Sequence, residues 1–278
     1  MVIFFENGRL GNQLFQYCGL KKEFKNHRII LFGFKEFFHV INSHDQIFRV
    51  PLFLGKKRFQ LLLKKLLIIL VKLRFITHAW ETNEIGGNRI IKKTGFFKNV
   101  IYFSFGFFQV QSNCDLVNDL SINEELITVS RRLLEQLNIT EKEIVFLHIR
   151  RGDYLKWPSK ESPAVLSIEW YYQSIDHMRK KVKNPAFLIF SDDFHYVNDF
   201  FGSEKDMYII DNDYTLDFAF MTLCNHGILS ASSFAWWASV FLKGKSESSI
   251  LIAPNYWIGH REKKWWPVGL KANWITYL

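Results

Sequence analysis

The sequence predicts an α/β protein of two Rossmann-like halves, each built on a parallel, doubly wound sheet. Three observations carry that expectation. After residue 140, short apolar runs alternate regularly with longer helical stretches, the signature of strand-helix units. One of those runs, Ile-Val-Phe-Leu at 144–147, is continuously apolar, as a strand covered on both faces must be. The N-terminus repeats the theme: Val-Ile-Phe-Phe at 2–5 reads as a strand, Gly8-Arg9-Leu10-Gly11 as a turn, and the chain from Asn12 as a helix.

Along the first half, Leu14, Phe15, Tyr17, Cys18 and Phe24 make the apolar side of that helix, and 29–34 reads as a second strand. Residues 56–75 form a long helix on their 3.6-residue periodicity. The stretch from 76 to 114 has no clear period. A helix near 124–137 closes the half, and the boundary falls near residue 140, giving domains 1–140 and 141–278. In the second half, strands are expected at 144–149, 186–191, 207–211, 227–231 and 249–253, with helices at 167–183, 215–224 and 233–242.

Composition narrows the class. With 278 residues, 48% hydrophobic and 23% charged, the chain can bury a substantial core and is not disordered. Cys18, Cys114 and Cys224 are widely spaced and odd in number, which excludes a zinc ribbon or a disulfide framework and favours a reducing compartment. The N-terminus lacks the three-part pattern of a signal peptide, and no apolar run reaches bilayer length. The expectation is a cytoplasmic protein.

The formal charge of +9 is not spread evenly. Residues 55–98 hold 11 Lys and Arg against Glu81 and Glu84 alone, so this one region carries the whole excess. On the 56–75 helix, Lys57, Arg58, Lys64, Lys65 and Lys72 gather on a narrow face. Two readings stay open. One is an ordinary core helix with a solvated lysine stripe; the other is peripheral contact with anionic lipid at the inner membrane face, useful for an acceptor carried on a lipid.

The strand at 144–149 ends in His148-Ile149-Arg150-Arg151-Gly152-Asp153-Tyr154. Ligands of open α/β sheets sit beyond the carboxyl ends of strands, and paired guanidinium groups there suit a phosphate ester. Further on, the run from Gly227 to Ser232 leads into a helix that begins at Ser232-Ser233-Phe234. A helix start offers free N–H groups and partial positive charge, and two hydroxyls add to an anion site, although a serine there can also be a plain N-cap. The Gly8–Gly11 turn is a weaker phosphate signal and lacks the dinucleotide spacing.

Together, GRLGNQLFQY at 8–17, HIRRGDY at 148–154 and ILSASSFAWWAS at 228–239 closely resemble the α-1,2-fucosyltransferases of glycosyltransferase family 11. FSDD at 190–193 and the D-x-x-x-M-x-x-C-x-H-x-I-L run from Asp217 strengthen the likeness, which fades across 35–125, where Phe107 to Ser112 departs from the family pattern. The resemblance implies a GT-B-type fold, two Rossmann-like domains facing a cleft, the second binding GDP-fucose. It implies an inverting, metal-independent transfer of L-fucose to the 2-hydroxyl of a galactose in an oligosaccharide or lipid-linked acceptor, hence a role in surface polysaccharide. It maps a β-phosphate contact onto Arg150, a place beside the nucleotide onto His148, guanine recognition onto Asp217, phosphate binding onto Ser233, and an approach from the other domain onto Asn12. Arg151, Ser232 and Phe234 are expected to support the donor site, and Asp153 is the candidate base for the acceptor hydroxyl.

Some signals are set aside. Asp211-Asn212-Asp213 and Asp192-Asp193 stand at strand ends and could hold a hard cation, but the arginine site makes a metal redundant, so no cofactor is expected. Trp236-Trp237 and Trp265-Trp266 could stack on sugars, with helix packing the stronger reading for the first pair. Within enzymes the alternative is a related sugar-nucleotide transferase of different donor or linkage; from another class comes a non-catalytic basic protein, binding nucleic acid or membrane through 55–98 with Phe59, Phe75, Trp80 and Phe96. That reading leaves the arginine strand end unexplained, and no nucleic-acid partner is expected.

Overall fold

The structure is a computed structural model that describes residues 1–43, 48–49, 57–84, 87–139 and 141–278. Contacts divide it into two compact units, Met1–His39 with Ser43–Leu120, and Val40–Asn42 with Ser121–Leu278.

The first unit runs β1 (Val2–Phe5), α1 (Leu10–Glu23), β2 (Ile29–Phe32) and α2 (Lys35–Val40). After β3 (Ile41–Ser43) come β4 (Phe48–Arg49), α3 (Lys57–Lys72) and the strands β5 (Ile76–Glu84), β6 (Gly87–Lys93) and β7 (Phe97–Phe103). Its sheet has the order β4-β2-β1-β7-β5-β6. All neighbours are parallel except β5 and β6, an antiparallel hairpin. The unreadable stretch 76–114 therefore holds three strands. β6 lies at the sheet edge and β5 next to it; in both, Thr, Glu, Asn and Lys alternate with apolar residues and no continuous apolar run is needed.

The second unit begins with β8 (Leu120–Ile122), which pairs with β3, and α4 (Glu124–Gln136). It continues β9 (Glu143–Ile149), α5 (Ile168–Lys181), β10 (Pro185–Ser191), α6 (Phe194–Phe201) and β11 (Met207–Ile210). Then follow α7 (Tyr214–Met221), β12 (His226–Ile228), α8 (Ser233–Lys245), β13 (Leu251–Ala253) and β14 (Thr276–Tyr277). α4 groups with this unit, whereas the boundary expected near residue 140 falls after it; residue 140 itself lies outside the described residues, as do 44–47, 50–56 and 85–86 of the basic and poorly readable regions.

The second sheet has the order β11-β10-β9-β12-β13-β14, every pair parallel. The five expected strands are present, with β14 added at the edge. From β9 the chain moves outward through β10 to β11, then returns past β9 to β12 and leaves in the other direction. β9 and β12 thus flank the point where the winding reverses, the place where α/β sheets bind ligands. Val145, Leu147 and Ile149 on one face of β9 are buried against Tyr171, Ile175 and Met178 of α5 and Val197 of α6, so the strand end is held rigidly.

Candidate functional site

The residues that follow β9, β10 and β12 meet at this reversal. His148 is buried, and its Nδ1 lies 2.6 Å from Ser230 Oγ across the β9–β12 pair. Burial first, and Arg150 second, lower its pKa to about 3. The imidazole is therefore neutral at physiological pH and stands as a fixed polar wall, not a charge. Its ring faces that of Phe234 at 5.8 Å.

Arg150 is clamped. Its Nη2 donates to Asp153 Oδ1 at 2.5 Å and its Nη1 meets Asp192 Oδ2 at 2.9 Å. The other oxygen of Asp192 accepts the Arg151 N–H at 2.8 Å. Gly152 makes that arrangement possible, because a Cβ there would stand 2.5 Å from Asp192 Oδ2. A guanidinium has five N–H donors; two meet these carboxylates, and the remainder can meet an anion. The clamp removes rotamer freedom that an isolated arginine would lose on binding.

Arg151 turns the other way. Its guanidinium lies 3.5 Å from the Tyr196 ring centre and its Nε donates to Asp193 Oδ2 at 3.0 Å. Asp193 also caps α6 by accepting the Tyr196 N–H. Arg151 therefore ties the strand end to α6 and is not gathered with the serines at the start of α8.

At α8, Ser232 is the N-cap, its Oγ accepting the Phe234 N–H at 3.3 Å. Ser233, the first helical residue, is only partly buried and is not the cap. Tyr154 donates its hydroxyl to Ala231 O at 3.0 Å, and Arg150 lies 5.7 Å from its ring centre. This tyrosine joins the arginine loop to the α8 loop. Trp236 and Trp237 are fully buried, as helix packing requires.

Asp217 sits in the first turn of α7, beside Phe218, whose ring meets Phe234 at 5.3 Å. Its Oδ1 is buried without a hydrogen-bond partner. Burial, then Asp213 and Asp211, push its pKa up to about 8. A buried carboxyl oxygen left unpaired is costly and marks a place where a ligand donor fits. Asp213, by contrast, is the N-cap of α7, accepting the Thr215 N–H at 2.7 Å. Asp192 and Asp193 bond to the arginines.

Asn12 lies in the first unit, on α1. Its Oδ1 accepts from Gln109 Nε2 at 2.9 Å. Gln109 is held because buried Glu81 accepts the N–H groups of Phe107 and Phe108 at 2.6 and 2.8 Å. The turn before α1 is fixed by side chains too: Gly8 has φ +90°, Gln13 Nε2 donates to Glu6 Oε2 at 2.8 Å, and Glu36 Oε2 accepts the Leu10 N–H at 2.8 Å.

Sequence reasoning missed Asp192 as the clamp of Arg150, although FSDD at a strand end carried the signal. It also missed Tyr154, Gln109 and Trp157. Trp157 stacks on Trp266 with ring centres 5.5 Å apart, and Tyr154 is 5.3 Å from Trp157. The two tryptophans are 38% and 39% exposed, so an aromatic surface runs outward from the Arg150 loop.

Residues 3–277 match the family model described as glycosyl transferase family 11. The O-antigen biosynthesis glycosyltransferase WbnK of Escherichia coli is 25% identical, over 92% of this chain and 95% of that protein. The alpha-1,2-colitosyltransferase of Escherichia coli is 26% identical over 92% and 91%. Galactoside alpha-(1,2)-fucosyltransferase 1 of Saimiri boliviensis boliviensis is 27% identical over 60% of this chain and 48% of its own. Among solved structures, POFUT1 in complex with GDP-fucose superposes with a TM-score of 0.59 at 12% identity, over 90% of this chain and 97% of that one. Fucosyltransferase NodZ from Bradyrhizobium gives 0.53 at 12% identity, over 85% and 91%. Both are GT-B enzymes, and the α/β architecture with its parallel sheets is of that type.

Proposed function

The chain belongs to glycosyl transferase family 11, and from that premise we propose that it moves L-fucose from GDP-β-L-fucose to the 2-hydroxyl of a galactose residue, with inversion and without a metal ion. The observation that carries the reading is the pairing of a clamped Arg150 with an unpartnered, buried Asp217 oxygen in the same unit. One end of the site suits a diphosphate and the other a base that presents donors. Guanine offers N1–H and N2–H together, which a carboxylate accepts; adenine offers no such pair.

In this reaction the bond from fucosyl C1 to the β-phosphate oxygen breaks as acceptor O2 attacks the opposite face of C1. Negative charge grows on GDP while the sugar becomes oxocarbenium-like. Arg150 and the N–H groups at the start of α8, with Ser233, take up that charge. One such preorganised donor is worth about 3–4 kcal/mol in a transition state. His148, being neutral, packs beside the nucleotide without competing for it, and Phe234 continues that wall. Arg151 and Ser232 act indirectly, by fixing the loop and capping the helix.

The acceptor proton goes to a carboxylate. Both oxygens of Asp192 are engaged by arginine groups, whereas Asp153 is 59% exposed and pairs with Arg150 through Oδ1. Asp153 is therefore the candidate base. Asn12 is oriented by Gln109 within the first unit. The exposed Trp157–Trp266 pair suits the apolar face of an acceptor sugar; Trp157→Ala should raise the acceptor KM and leave the donor KM unchanged.

A second reading is transfer of another deoxyhexose to the same hydroxyl, favoured by the colitosyltransferase relative. A panel of sugar nucleotides and galactose-terminated acceptors, followed by linkage analysis of the product, separates the two. Turnover of GDP-fucose to a fucosyl-α-1,2-galactose product is the expected result; absence of turnover with GDP-fucose and efficient use of a different donor would overturn it.

A further inference from the structure

Away from the donor site, α3 has two apolar faces. One packs on the first sheet: Leu67 is buried, with Phe59, Leu63, Leu70 and Val71 around it. Another side carries Leu62, Leu66 and Ile69, continued by Leu73 just past the helix, each at least 50% exposed. Their spacing of four, three and four aligns them along the helix. Exposed Arg58, Lys65 and Lys72, seven residues apart, run beside that row. At the far end the N–H groups of Phe96 and Phe97 donate to the carbonyls of Arg74 and Phe75, each at 2.7 Å. Phe75, Phe96 and Phe97 are all exposed there. Single exposed apolar residues are ordinary; a continuous row of this length marks an interaction surface.

Next to the row lies a cavity of about 430 Å³, lined by Lys72, Arg74, His78, Lys93 and Thr94 among others, with no carboxylate in its wall. Among the described residues, Lys72, Arg74 and Lys93 form no ion pair. Cations concentrated without counter-charges, beside aliphatic side chains facing water, are complementary to one chemistry.

We propose that α3, with the adjoining 73–75 and 96–97 segments, seats on an anionic phospholipid surface. The aliphatic row enters the boundary between headgroups and acyl chains, and a lipid phosphate occupies the basic cavity. At 16 residues α3 is about 24 Å long, and among the described residues no helix is long and apolar enough to cross a membrane. It therefore lies in the plane of the surface, its lysine stems extending to the headgroups. Nucleic acid fits poorly, because leucine and isoleucine at the centre of the patch neither stack on bases nor bond to phosphate. A second copy of the chain would bring like charges together along the same row.

The test is flotation of the full chain with vesicles of phosphatidylcholine alone or mixed with phosphatidylglycerol. Binding is expected only to the mixed vesicles, weakening as salt rises. Each basic residue contributes about fivefold, so K72S/R74S/K93S together should lower partitioning about 100-fold. L62S/L66S/I69S should lower it as well. Both variants should keep the wild-type circular dichroism spectrum and transfer to a soluble acceptor. The proposal is overturned if wild type ignores the mixed vesicles, or if either variant binds them unchanged. It is equally overturned if the cavity binds inorganic phosphate, the patch binds single-stranded nucleic acid, or the row mediates dimerisation, in each case without vesicle binding.

Discussion

Asp217→Asn should change stability and ligand affinity in opposite directions. The carboxyl pKa stands near 8 in the folded chain against 3.8 for the free group, chiefly through burial. The folded state thus binds more protons than the unfolded state between those values. Its stability falls as pH rises through that window and levels off above about 8. At pH 7 the difference is roughly 3 units at about 1.36 kcal/mol each, or about 4 kcal/mol, and solvent screening at this partly exposed position reduces it to about 2 kcal/mol. Asparagine keeps the shape without the ionisation. The unliganded variant should therefore be about 2 kcal/mol more stable at pH 7 and nearly equal to wild type below pH 4. It should bind GDP about 10- to 150-fold more weakly, because a charge-assisted pair worth about 1.5–3 kcal/mol is lost. Urea unfolding across pH and calorimetric titration with GDP measure both effects. In wild type, GDP affinity should also fall as pH drops below the raised pKa of this carboxyl, since the carboxylate must ionise to accept two donors. A variant less stable than wild type at pH 7, with GDP affinity intact, would refute the reasoning.

Arg150→Ala should lose about 10²–10³ in kcat while keeping the wild-type unfolding free energy within about 1 kcal/mol, read by steady-state kinetics and urea titration. Gly152→Ala should push Asp192 off Arg150, since the new Cβ falls 2.5 Å from its Oδ2; we expect kcat to fall by about tenfold or more, at a stability cost of about 1–3 kcal/mol. His148, with its pKa lowered to about 3 by burial and Arg150, should show neutral-imidazole nitrogen shifts at pH 5. Because its folded pKa lies below the ordinary 6.5, stability is lost as pH falls from about 6.5 toward 3, and His148→Gln should remove that component.

β9, β10 and β13 were legible because they are buried almost throughout and read as continuous apolar runs, and β11 and β12 because short apolar segments stand between helical stretches. α1, α3, α4, α5, α7 and α8 were legible from their period or their caps. α6 was not: Phe194-His195-Tyr196-Val197 is aromatic and β-branched, and only the Asp193 cap reveals a helix. The edge strands β6 and β14, and β5 beside β6, were hidden because they carry polar residues, which a strand tolerates where one side faces water. At the candidate site, residue types and order pointed to the Arg150-Arg151 pair and the α8 serines, whereas Asp217 and the distinction of Arg150 from Arg151 came only through the family resemblance. Adjacent arginines look alike in sequence; the stacking of Arg151 on Tyr196 and the clamping of Arg150 by Asp153 and Asp192 separate them. Likewise, the two sides of α3 are both apolar, and only the fold shows which of them the sheet covers.

The most direct measurement is a crystal structure of the GDP complex. It should place the β-phosphate within hydrogen-bond distance of the Arg150 guanidinium and Ser233 Oγ, and the guanine N1 and N2 against Asp217. A diphosphate held through a divalent ion on Asp211 and Asp213, with Arg150 still bonded only to Asp153 and Asp192, would contradict it.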